Sequence, residues 1–141
     1  MTINEKQDEL IEDFDLFDEQ LDKTQYIIDL GKKLPPIDEA YKTDDNLIRG
    51  CQSKVWLHCE IRDNLVHFEA DSEPTAQISK GLVSLLIKVL SDEKPEDIAA
   101  AQLYFIEKIG MSNIITSRRA GGLASMIARM KEFAQSQIVP N

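Results

Sequence analysis

The stretch Val55-Trp56-Leu57-His58-Cys59-Glu60-Ile61, the pair Asp63-Asn64 and the stretch Leu65-Val66-His67-Phe68-Glu69-Ala70 decide the fold. The first stretch alternates with period two, so Val55, Leu57, Cys59 and Ile61 share one face and Trp56, His58 and Glu60 the other. In the second, Val66, Phe68 and Ala70 point inward. Asp and Asn between them tolerate the left-handed backbone that a tight hairpin turn demands. The two stretches predict a β-hairpin, and residues 40–50 are expected to add a further strand, making a short sheet of about three.

Away from the hairpin, in both directions, the apolar period becomes helical. Toward the N-terminus, Ile3, Gln7, Leu10, Ile11, Phe14, Phe17 and Leu21 form a stripe with acids between them, which predicts an amphipathic helix. A second helix over about 23–32 places Tyr26, Ile27 and Leu30 on one side, and Gly31 with Pro35-Pro36 is expected to stop it. Residues 35–50, with Asp44, Asp45, Asn46 and Gly50, form a connection. Toward the C-terminus, Ile78, Leu82, Leu85, Leu86 and Val89 line one face of a helix that Asp71-Ser72 is expected to cap. Pro95 suits the first turn of the next helix, which would carry Ile98, Ala101, Gln102, Phe105 and Ile109 as far as Gly110. A last helix is expected to start near Thr116-Ser117 and to bury Ala120, Leu123, Ala124, Ile127, Met130 and Ala134. Helices, a short antiparallel sheet and helices again make an α+β fold, expected as one domain over residues 1–141.

The chain has 16 basic and 25 acidic residues, a net charge of −9. Nine of the acids and one base, Lys6, fall in residues 1–22, so the helix stripe there carries a strongly acidic outer face. The stripe itself argues against a disordered tail. Net negative charge provides no footprint for nucleic acid. No apolar run approaches the ~20 residues needed to span a bilayer, so no membrane partner is expected. The acidic N-terminus is unlike a signal or transit peptide, and the expected location is cytoplasmic.

There are two cysteines, Cys51 and Cys59. Without secretory signals a disulfide framework is not expected. A zinc site from Cys51, Cys59, His58 and His67 lacks the spacings of structural zinc sites. Cys59 alternates with apolar residues and reads as packing. Cys51 stands at the entry of the first strand in Ile48-Arg49-Gly50-Cys51-Gln52-Ser53-Lys54. Gly50 widens the available backbone geometry there, and Gln52 and Ser53 set polar groups beside the thiol as loop support. A cysteine on a loop held by a strand can present sulfur to another molecule, or it can be a buried structural thiol; the residues alone leave both open.

Gly50-Cys51-Gln52-Ser53-Lys54-Val55-Trp56 resembles the GCQSxVW signature of the SufE family, sulfur acceptors that work with a cysteine desulfurase. The resemblance continues through Asp71-Ser72, Ile78-Ser79-Lys80-Gly81-Leu82 and Pro95-Glu96-Asp97-Ile98. It ends at Arg119-Ala120-Gly121-Gly122-Leu123-Ala124-Ser125-Met126, which is similar to the family's R-x-x-G-L-x-x-M. One departure is that Asp71 to Lys80 is two residues longer than the family spacing, so the Glu73-Pro74-Thr75 turn is expected to differ in shape.

The resemblance implies a SufE-like fold, related to that of IscU-type iron–sulfur scaffolds, and a sulfur carrier without complete turnover of its own. It assigns Cys51 as persulfide acceptor and Arg119 as a stabiliser of its thiolate, with Asp71 and Lys80 as partner-facing residues. His58 is a further candidate proton partner for Cys51. The implied partners are a SufS-like cysteine desulfurase and a SufBCD-like scaffold complex, with the chain itself a monomer or weak homodimer. Pyridoxal phosphate would belong to the desulfurase, with no cofactor held by this chain. The alternatives are a paralogue serving another desulfurase, an iron–sulfur scaffold, and a cysteine hydrolase using His58 or His67. A scaffold needs several cluster ligands, and a hydrolase needs an oriented base.

Overall fold

In the computed structural model, residues 1–51, 53–110 and 121–138 are described. Gln52, Arg119, Ala120 and the expected Thr116-Ser117 cap lie outside them.

Two antiparallel strands, β1 (Val55–Arg62) and β2 (Leu65–Ser72), form the hairpin, with Leu57 opposite Ala70 and Cys59 opposite Phe68. Asp63 and Asn64 make the turn with φ of 52° and 67°, the left-handed pair that matches strand twist. Val55, Leu57, Val66, Phe68 and Ala70 are buried as expected, whereas Ile61, near the hairpin end, is 40% exposed. Among the described residues the sheet has two strands. Residues 40–50 contribute only a single bridge, Leu47 to Trp56. Asp38 accepts from the Ala40 N–H and Asn46 donates to the Tyr41 carbonyl, which folds this connection into 3-10 turns at Glu39–Tyr41 and Asp44–Asn46. Side chains that bond nearby backbone compete with strand pairing.

Helix α1 (Ile3–Asp15) opens with a reciprocal Thr2–Glu5 capping box. It buries Ile3, Gln7, Leu10 and Phe14 and leaves Asp8, Glu9, Glu12 and Asp15 exposed. The stripe ends earlier than its spacing predicts. Phe17 lies beyond the helix and packs on Tyr26 with ring centroids 5.2 Å apart, while Leu21 belongs to α2 (Gln20–Lys32) and is 83% exposed.

Gly31 does not stop α2. It lies within the helix and is buried, because α2 crosses α3 (Gln77–Leu90) at Gly31 and Gly81 with the two backbones in contact. Helix α3 is the centre of the molecule. Leu82, Val83, Leu85, Leu86, Val89 and Leu90 are all buried, because hairpin and helices surround it. Asp71 and Ser72 do not cap it. They end β2, and α3 starts after Ala76 without a side-chain cap.

The helix expected from Pro95 to Gly110 is two short ones, α4 (Pro95–Ala100) and α5 (Phe105–Lys108), with Pro95 in the first turn as predicted. The break is stabilised from elsewhere in the chain. Gln7 on α1 donates to the Gln102 carbonyl (3.0 Å) and accepts from the Phe105 N–H (3.2 Å), and Lys131 donates to the Ala99 and Ala101 carbonyls. Gln7 is fully buried. Gln7→Ala leaves the buried Phe105 N–H without its acceptor and is expected to cost about 2 kcal/mol, measured by urea denaturation. A loss under about 0.5 kcal/mol, the scatter of a surface change, would remove Gln7 as the cause of the break. The last helix, α6 (Gly121–Ser136), buries Leu123, Met126, Met130 and Ala134. Ala124 is exposed and Ile127 half-buried, so the buried face is centred one position away from the one expected.

Candidate functional site

Cys51 stands in a short loop closed at its base by the Ile48 N–H donating to the Val55 carbonyl (2.8 Å). Ile48 is buried and anchors the loop. Gly50 has φ of 89°, a conformation other residues adopt only under strain, so the turn into Cys51 depends on it. Two further elements hold the loop. From α6, Arg129 donates to the Asp45 carbonyl (2.8 Å) and the Leu47 carbonyl (3.3 Å). From the turn after β2, the Glu73 N–H donates to the Lys54 carbonyl (2.9 Å), and Thr75 Oγ1 shares a 2.8 Å hydrogen bond with Ser53 Oγ. Ser53 thus supports the loop through a side chain, and the Glu73-Pro74-Thr75 turn packs back on the cysteine loop.

The Cys51 thiol is free and half-buried. Its sulfur lies so close to Gly122 on α6 that a Cβ there would be 2.1 Å from Sγ. Burial pushes the thiol pKa up, and hydrogen bonding from Ser79 on α3 pulls against it. At rest the site therefore favours the neutral thiol over the nucleophilic thiolate. A cavity of about 330 Å³ is lined by Ser53 of the cysteine loop, Thr75, Gln77 and Ser79, with Ile28. Neither Ser79 nor Gly122 carries a role in the sequence reading. Only their place within the family-like blocks Ile78–Leu82 and Arg119–Met126 points to them.

Cys59 is the second free cysteine and packs against the core. Burial pushes its thiol up to about 12, with Arg129 lowering it less, which leaves it inert at neutral pH. Asp71, expected to face a partner, is buried in the chain by itself. Its carboxylate accepts from the Ser72 N–H (2.8 Å) and lies 3.3 Å from Lys80 Nζ and 3.5 Å from Lys42 Nζ. Burial pushes its pKa up, but the Ser72 N–H, Lys80 and Lys42 together bring it below the usual carboxylate value. Lys80 has a largely covered side chain and pairs with Asp71.

The histidines have partners of their own. His58 stacks on Tyr41 with ring centroids 3.6 Å apart and faces Glu60 at 3.5 Å. His67 Nδ1 is 2.8 Å from Asp92, an oriented imidazole, but it pairs across the hairpin with Glu60. Five residues of strand from Val55 to Glu60 are ~16 Å, so His67 is out of reach of Cys51 as a base. Among the described residues no three His, Cys, Asp or Glu side chains form a metal-binding group. Cys59 and His58 point to opposite faces of β1.

The family described as "SufE: Fe-S metabolism associated domain" matches residues 8–134. The chain belongs to the SufE family. A SufE-like protein of Rhizobium meliloti (strain 1021) is 38% identical over 136 residues, covering 93% of this chain and 96% of that protein. The cysteine desulfuration protein SufE of Plasmodium vivax is 34% identical over 118 residues, covering 81% of this chain and 46% of that longer protein. The solution structure of a hypothetical protein from Thermus thermophilus has a TM-score of 0.76 at 20% identity, covering 94% of this chain and 95% of that one. This likeness shows the shared fold. Among the described residues no helix is long and apolar enough to cross a membrane.

Proposed function

We propose that the chain is a sulfur acceptor for a pyridoxal-phosphate-dependent cysteine desulfurase, with Cys51 as the acceptor. The observation that carries this reading is a free thiol in a tightly held loop of a SufE domain, its sulfur seated against Gly122 of α6. In the step, the Cys51 thiolate attacks the outer sulfur of a persulfide on the desulfurase. A bond forms between Cys51 Sγ and that sulfur as the partner's S–S bond breaks, and the partner's cysteine leaves as thiolate. The exchange conserves electrons and needs no further oxidant. Cys51–S–SH then passes its sulfur to an iron–sulfur scaffold complex. The pyridoxal phosphate supplies the C–S cleavage on the partner, and the chain acts as carrier and activator rather than as an enzyme, as a single cytoplasmic domain. Arg119 is the proposed thiolate stabiliser during transfer, and Lys80, positioned by Asp71, the proposed cation on the docking side.

Incubation with a desulfurase, pyridoxal phosphate and cysteine should add one sulfur to the intact mass. A reductant should remove it. Cys51→Ser should abolish the gain and Cys59→Ser should keep it; the reverse pattern would refute the assignment. The desulfurase that copurifies with the chain from its own cell decides between this reading and a paralogue serving another sulfur-transfer route.

A further inference from the structure

Arg129 lies two helical turns beyond Gly122 on α6, so the two share one face, about 10 Å apart along the axis. At one end of this face the Cys51 sulfur lies so near Gly122 that a Cβ there would be 2.1 Å from Sγ. At the other end Arg129 Nη1 donates to the Asp45 carbonyl (2.8 Å) and Nη2 to the Leu47 carbonyl (3.3 Å). From Leu47 to Cys51 the chain reaches at most ~14 Å when extended. The segment that ends in Cys51 is thus held against α6 at both of its ends. The guanidinium also borders a cavity of about 370 Å³ with Asn46, Leu57, Cys59, Glu132 and Phe133. Its charge lowers the Cys59 thiol pKa less than burial raises it, so Cys59 stays protonated at neutral pH and offers no thiolate to pair with. Arg129 is half-buried. A charge in that position is costly unless it is hydrogen-bonded, and the two loop carbonyls meet this need.

We infer that Arg129 is a positioning residue for sulfur transfer, its two hydrogen bonds to the Asp45 and Leu47 carbonyls fixing the segment that seats the Cys51 sulfur against Gly122. This rests on Cys51 being the acceptor. Arg129 acts through the loop backbone, not on the sulfur. A planar guanidinium reaches two carbonyls at once from one side chain, which fixes the direction of the segment as well as its place. The other ties of the loop run elsewhere, from Ile48 to the Val55 carbonyl and from Ser53 to Thr75. They hold it to β1 and to the turn after β2, whereas the bonds of Arg129 hold it to the helix that carries Gly122. Position and charge predict opposite signs. A cation acting on the sulfur by its charge favours the thiolate, so its removal would raise the thiol pKa and slow alkylation. A cation acting by position keeps the thiol sheltered, and burial raises its pKa. Removal then exposes the sulfur, lowers that pKa and speeds alkylation.

The experiment is iodoacetamide alkylation of the full chain across pH, with Cys51 and Cys59 followed separately by peptide mass mapping. Arg129→Met, which keeps an apolar stem, should alkylate Cys51 about tenfold faster at pH 7, the factor that one charged hydrogen bond represents. Its midpoint should move to lower pH. Arg129→Lys keeps the charge but replaces the two-pronged donor by a single ammonium, and should fall between Arg129→Met and wild type. A Cys51 rate in Arg129→Met that is unchanged or slower overturns the inference, the slower rate because it means that the charge acts on the sulfur. An Arg129→Lys rate equal to wild type overturns it too, since charge alone would then suffice. So does a rise at Cys59 as large as that at Cys51, which marks a general loosening of the fold. The assay needs no desulfurase. Failure of the wild-type chain to take up sulfur would overturn the acceptor reading while leaving the effect of Arg129 on Cys51 measurable.

Discussion

Gly81→Ala is expected to destabilise the protein by about 2 kcal/mol or more, the largest stability loss foreseen for a single added methyl group. A Cβ at this position would be 2.3 Å from the Ile27 carbonyl oxygen, 2.4 Å from Ile27 Cγ2 and 2.8 Å from the Ile27 carbonyl carbon. Two of these three atoms belong to the backbone of α2, so no side-chain rotation relieves the clash. The facing glycine, Gly31, is also closed to a side chain, with a Cβ there 2.8 Å from the Gly81 nitrogen. The two helices would have to separate along the seam that packs α2 on the central helix. Overpacking of this kind costs about 3 kcal/mol, against the ~1 kcal/mol that alanine gains over glycine in a helix interior. Urea denaturation and thermal melting check it, with a fall in Tm of about 6–10 °C. A Tm equal to or above wild type would mean that α2 is not seated on α3 in this way.

Gly122→Ala should act on the site instead of the fold. Its Cβ would be 2.1 Å from Cys51 Sγ, whereas the next contacts, with Cys51 Cβ and N, are at 3.6 Å. The clash is therefore with the tip of one side chain on a loop, and the sulfur can yield at little cost to the core. The expected result is expulsion of the thiol toward solvent. Burial is the larger cause of its raised pKa, so expulsion lowers that pKa and also opens access. Alkylation of Cys51 at pH 7 should then be several-fold faster in Gly122→Ala than in wild type, with Tm little changed. The folded wild-type site conversely holds more thiol and less thiolate than an unfolded chain as pH rises through the ordinary thiol range, so the burial works against stability there. Slower or unchanged alkylation would show that α6 does not shield the sulfur.

These two glycines illustrate how far a sequence can be read without its structure. Gly81 and Gly122 both lie in family-like blocks, but a glycine in a sequence does not say which backbone or side chain approaches it. Gly31 reads as a helix stop, the common use of glycine at that place, and is instead the counterpart of Gly81 across a helix crossing. The same limit applies to Asp71, whose position before a helix suggests a cap. Its carboxylate is drawn to Lys80 and Lys42, which approach from α3 and from the connection before the hairpin. In the candidate site, Cys51 and its loop are legible because the local motif places them. Gly122, 71 positions away in the chain, is not, because its approach to the sulfur exists only once α6 packs against the loop.

Local period and turn chemistry were enough for the hairpin, the acidic outer face of α1, the Pro95 helix start, and the division between one loop cysteine and one packed cysteine. These depend on neighbours two to four residues apart, whose relations the backbone geometry sets by itself. Tertiary structure alone decided the two-strand sheet, the break between α4 and α5, and the groups that meet the Cys51 sulfur. Each depends on a side chain or close approach that folding brings into place: Asn46 and Asp38 folding the connection, Gln7 and Lys131 binding the broken helix, Gly122 at the thiol. Such contacts are not periodic in the sequence, because packing selects them by proximity in space.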